Sequence, residues 1–144
     1  MLRVTAKQQL MREIIELLSV LTEEAKLLWN EKGLHVTVVD GSHVALLSAT
    51  IADECFETYE VEKVEIGLEL GKMRDLLTLA GPNDLIELDY DESVGAINVR
   101  VGEVHRILRG IDPATMNNPN IPNLEFNHKA TVGSDRLSRS LRAA

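Results

Sequence analysis

The chain carries a single cysteine, Cys55, in 144 residues. That excludes an internal disulfide and any metal cluster built on thiolates. No apolar run approaches the ~20 residues a membrane-spanning helix needs. The opening MLRVTAKQQL lacks the apolar core and small-residue cleavage site of a secretory signal, so a cytoplasmic location is expected. The four histidines, His35, His43, His105 and His128, show neither H-x-x-x-H nor H-E-x-x-H spacing, and no G-x-G-x-x-G, Walker A or G-x-S-x-G run occurs. Cys55 sits in no nucleophile motif and reads as a small buried side chain. Asp84, Glu87, Asp89, Asp91 and Glu92 form an acidic group that reads as a solvated strand edge and turn rather than a cation site. The expectation is therefore of no catalytic residue, no metal and no cofactor: not an enzyme.

What is present suits one soluble core: 44% apolar and 26% charged residues. The formal net charge of −8 is uneven. Residues 1–102 hold 9 Lys/Arg against 19 Asp/Glu, whereas residues 103–144 hold 6 against 4. An acidic protein can still meet nucleic acid where its cations share one surface.

Hydrophobic period divides the chain. Leu2–Ala6 alternates as a strand, and residues 7–21 then take helical spacing, with Leu10, Ile14, Leu17, Leu18 and Leu21 as the apolar stripe, widened by Met11 and Ile15. Strands are predicted at Glu24–Asn30, His35–Val39 and His43–Thr50, the last two joined by the tight turn Asp40-Gly41-Ser42. Further strands follow at Phe56–Val61 and Val64–Glu69. A second helix runs from Leu70 to Ala80, with Leu70, Met73, Leu76 and Leu77 inward, and stops at Gly81-Pro82. Three strands close the series, at Asp84–Tyr90, Val94–Val101 and Val104–Gly110. The order β-α-β-β-β therefore occurs twice, which predicts an α+β domain over residues 1–111 with two helices on one face of curved antiparallel sheets.

Three of the four prolines and four asparagines fall within residues 112–124, DPATMNNPNIPNL, an extended linker by composition. Beyond it, Glu125–Val132 alternates like a strand and Ser134–Ala144 takes helical spacing, a third strand-then-helix opening. Residues 125–144 thus read as the start of a second domain, and the expectation is of a truncated product, a fragment or a shortened gene product.

The runs DGSHVALL, ECFETYEV and LLTLAG, with Ile111-Asp112-Pro113 entering the linker, resemble the archaeal type of the sliding-clamp family, PCNA. In that family an Asp-x-x-His-Val element, here Asp40, His43 and Val44, leads into an aliphatic strand. The resemblance implies a clamp domain and a DNA polymerase processivity factor, homotrimeric at full length, that encircles duplex DNA without chemistry and tethers replication and DNA repair enzymes. Rival readings are a checkpoint or repair clamp paralogue and a homo-oligomeric scaffold with no DNA role.

The resemblance also implies sites. Lys7, Arg12, Lys72, Arg74, Arg139 and Arg142 would face DNA, loosely and without sequence preference, although Glu13 and Asp75 fall where many relatives are basic. On the residues alone such cations are solvated charges. Val39, His43, Val44 and Leu46, with Met116, Ile121 and Pro122 from the linker, would wall a pocket for a short docking motif of the replicative polymerase, clamp loader, flap endonuclease and DNA ligase. Val104, His105, Arg106, Ile107, Leu108 and Arg109 would form the edge strand that pairs with another clamp subunit.

Overall fold

The computed structural model describes residues 1–144. Its strands are β1 (Leu2–Lys7), β2 (Glu24–Asn30), β3 (Gly33–Val39), β4 (Leu46–Ala52), β5 (Thr58–Val61), β6 (Val64–Glu69), β7 (Leu85–Asp91), β8 (Ala96–Val101) and β9 (Val104–Arg109). Helices are α1 (Gln8–Ser19), α2 (Leu70–Leu77) and α3 (Ser134–Ala143). All strand pairs are antiparallel, in a five-stranded sheet ordered β5-β1-β7-β8-β9 and a four-stranded sheet ordered β4-β3-β2-β6.

The repeat is real, and the two copies exchange their first strands. β1 belongs to the first copy yet pairs with β7 of the second, while β6 of the second pairs with β2 of the first. The helix ends follow the same exchange. Gln8 N–H, opening α1, donates to Asp84 O at 2.8 Å, and Leu70 N–H, opening α2, donates to Glu23 O at 2.9 Å. In each case the acceptor lies just before the other copy's second strand, so one helix's orphan donor is satisfied by the opposite unit.

Alternation along the strands sends one face of both sheets inward, where Val4, Leu27, Trp29, Val36, Ile66, Ile86, Leu88 and Val99 meet α1 and α2. The helix face that packs is Met11, Ile14, Ile15 and Leu18, rotated from the predicted stripe, and Leu17 is left 47% exposed. Trp29, Phe56 and Tyr59 cluster with ring centroids 5.3–6.2 Å apart. Phe56 is therefore a core residue just ahead of β5 rather than part of it.

Several boundaries move for local reasons. The β3–β4 connection spans residues 40–45, not a three-residue turn, because the Asp40 carboxylate gathers the chain around itself. It accepts Val44 N–H at 2.8 Å, Ala45 N–H at 2.9 Å and the Ser42 hydroxyl at 2.6 Å. His43 takes a left-handed φ of 57° inside this loop, so β4 begins at Leu46. Lys7 ends β1 instead of joining α1, and α2 stops at Leu77. The predicted strand at Glu125–Val132 does not form: no neighbouring strand offers it a ladder, and its residues are exposed.

Candidate functional site

Beyond β9 the chain turns back onto the outer face of the four-stranded sheet. Ile111 N–H donates to Gly67 O at 2.9 Å in an isolated bridge to β6. A short 3₁₀ turn, Pro113–Thr115, follows, with the Asp112 carboxylate accepting Ala114 N–H at 3.0 Å. The approach depends on glycine. A Cβ at Gly67 would lie 2.7 Å from Met116 Sδ and 2.9 Å from Ile111 Cβ. Because the site is empty, Met116 seats there half-buried, and Asn117–Pro119 cross β2 and β3 as a strap.

A cleft of about 620 Å³ opens between this strap and the β3–β4 loop. Three of the seven residues expected in a docking pocket meet there: Val39, His43 and Met116. Ile111, marked in the sequence only as the entry to the linker, joins them, with Lys26 and Thr37, which no sequence signal marked. Val44, 86% exposed, and Leu46, Ile121 and Pro122 lie outside the lining. The loop side of the cleft is braced electrostatically. The Ser42 hydroxyl, then the backbone N–H groups, hold the Asp40 carboxyl down at about 2, so it stays an anion and keeps its three donors at any ordinary pH.

The expected DNA-facing cations divide into two groups. Arg12 and Arg74 flank a groove of about 390 Å³ between α1 and α2. Both are engaged already: Arg12 Nε binds Glu16 at 2.8 Å, which raises its pKa, and Arg74 donates to Ser19 Oγ at 3.2 Å. Lys72 pairs with Glu69 at 2.8 Å, and Lys7 with Glu57 at 3.9 Å. On α3, by contrast, Arg139 and Arg142 have no carboxylate partner. Nor does Arg136, on the same helix, which the family resemblance did not mark. β9 is bonded only to β8, so its second edge is free, with Ile107 exposed along it. No three His, Cys, Asp or Glu side chains come close enough to hold a metal ion, and Cys55 is exposed, not buried.

The sequence profile of the proliferating cell nuclear antigen N-terminal domain matches residues 1–107. The chain belongs to the proliferating cell nuclear antigen family. The DNA polymerase sliding clamp of Methanoregula boonei is 30% identical over 145 residues, covering 100% of this chain and 59% of that protein. That of Methanocorpusculum labreanum is 34% identical over 127 residues, covering 88% of this chain and 51% of that one. This chain thus spans little more than half the length of these relatives. Among solved structures, A. fulgidus PCNA bound to the C-terminal region of FEN-1 superposes with a TM-score of 0.82 at 30% identity, over 87% of this chain and 51% of that one. The PCNA2–PCNA3 complex of Sulfolobus tokodaii gives 0.73 at 26% identity, over 86% and 52%.

Proposed function

We propose that this chain serves as the docking and subunit-joining half of a DNA polymerase sliding clamp, holding replication and repair enzymes on duplex DNA without catalysing a reaction. The observation that carries the reading is the cleft between the strap and the β3–β4 loop, which combines Val39, Ile111 and Met116 with polar walls. Short segments bind such sites by placing a few anchors in a pocket. The match to a family structure bound to the C-terminal region of FEN-1 supports the same assignment. In this reading the occupants are short motifs of the replicative polymerase, clamp loader, flap endonuclease and ligase.

Residues 125–144 open a second clamp domain, and the unpaired Arg136, Arg139 and Arg142 of α3 give a stronger phosphate contact than the internally paired Arg12 and Lys72. The free edge of β9 is the surface for another clamp subunit. Calorimetric titration with a synthetic peptide of the FEN-1 C-terminal region bound to A. fulgidus PCNA tests the docking reading. Saturable binding that Met116→Asp weakens at least tenfold is expected. Equal binding by both proteins, or none by the parent, contradicts it.

A further inference from the structure

Lys26 has the most enclosed side chain of any residue in the ion pairs of this molecule. It lies on β2 with its side chain only 12% exposed, in register beside Gly67 on β6. The vacancy that Gly67 leaves for Met116 is what brings the strap across this lysine, so its burial and the path of the strap have one cause. Lys26 lines the large cleft on one side of Asn117–Pro119 and a smaller one of about 190 Å³ on the other.

An ammonium has three donors and needs acceptors for them once water is excluded. Here its ionic partner is Glu65 alone, at 3.7 Å, beyond hydrogen-bonding reach, and Glu65 is itself nearly half exposed. The lysine therefore has donor capacity directed at a cleft with room for a segment of chain. Phosphates of DNA are poorly placed to use it, because Lys26 is on the outer face of the sheet and α1 and α2 cover the inner one.

We infer that Lys26 is a specificity-determining residue of the cleft, and that the segments docking there present an aspartate or glutamate side chain to its ammonium. This rests on the docking reading above and adds the chemistry of the partner. A carboxylate would replace a long, single ion pair with a charge-assisted hydrogen bond in a partly desolvated site, where such bonds are at their strongest. Glu65 need not be displaced, since three donors can serve both anions.

The test is a glutamate scan of that same FEN-1 C-terminal peptide, each position replaced in turn, against the intact chain and two variants. Lys26→Met keeps the apolar stem under the strap, and Lys26→Arg keeps the charge. Thermal melts verify that both remain folded. A gain of about tenfold at one peptide position is expected with the parent and with Lys26→Arg, and its disappearance with Lys26→Met. If no position gains, or if the gain survives Lys26→Met, while the unsubstituted peptide still binds, this inference is overturned and the docking reading stands. If the unsubstituted peptide does not bind at all, both fall together.

Discussion

The two copies of the β-α-β-β-β unit end differently, and the difference separates framework from function. Each copy closes by sending chain across to the first strand of its own unit, which sits in the other sheet. After β4, the chain crosses to β1 and pairs as β5 through four residue pairs, from Leu2↔Val61 to Thr5↔Thr58. After β9, it crosses to β6 and makes one bridge, Ile111 to Gly67. Thr5 and Gly67 hold equivalent places, each three residues before its helix. At the first crossing, Trp29, Phe56 and Tyr59 lock the returning chain into the core. At the second, one glycine receives one methionine, and the chain runs on as a strap with clefts on both sides. A ladder makes a wall; a single bridge leaves a groove that a partner can enter.

Truncating the anchor of each crossing breaks this comparison most sharply. Phe56→Ala is expected to cost about 3 kcal/mol, as for a buried aromatic, visible as a lower urea midpoint for the whole domain. Gly67→Val is expected to cost about 2 kcal/mol, because Ile111 and Met116 must move out of the way. Its distinguishing sign is rapid proteolysis within residues 111–122, with the β5 crossing unchanged. Met116→Ala, at a half-buried site, should change global stability by only about 1 kcal/mol, yet speed amide exchange of Ile111 and the strap. Equal effects of Phe56→Ala and Met116→Ala on global unfolding would show that the crossings are not different in kind.

Titration gives the finest separation. Tyr59 donates to Asn30 O at 2.6 Å, and burial, with Asp53 nearby, pushes its pKa up to about 12. The folded state thus prefers the neutral phenol. Its contribution is complete below the unfolded value of about 10 and is lost as pH rises toward 12, loosening the β5 crossing. Asp40 has the opposite sign. Its contribution is complete above about 4 and is lost as pH falls toward 2, when the amides of Val44 and Ala45 should lose protection at the rim of the cleft. Hydrogen exchange followed across both ranges should therefore open β5 first in alkali and the β3–β4 loop first in acid.

Much of the framework was legible from hydrophobic period. The doubled unit and both packed helices rest on local patterns that burial then follows. The exchange of β1 and β6 was not, since it depends on contacts between residues far apart in the chain. Nor was the length of the β3–β4 loop, because Asp-Gly favours a tight hairpin in isolation, whereas here the Asp40 side chain supplies the turn's hydrogen bonds itself. Alternation at Glu125–Val132 predicted a strand, but alternation without a partner strand leaves the backbone to solvent. In the cleft, Val39, His43 and Met116 were reached through the family resemblance. Lys26 was invisible, because its setting comes from a glycine on a neighbouring strand and a methionine far along the chain.

The central claim is that a docking segment enters the cleft beside the strap, and hydrogen exchange with and without the FEN-1 C-terminal peptide tests it most directly. Slowed exchange confined to Val39–Ala45 and residues 111–119, with α1 and α2 unaffected, is the predicted result. Protection along the free edge of β9 or across the helices, with none at the strap, would contradict it.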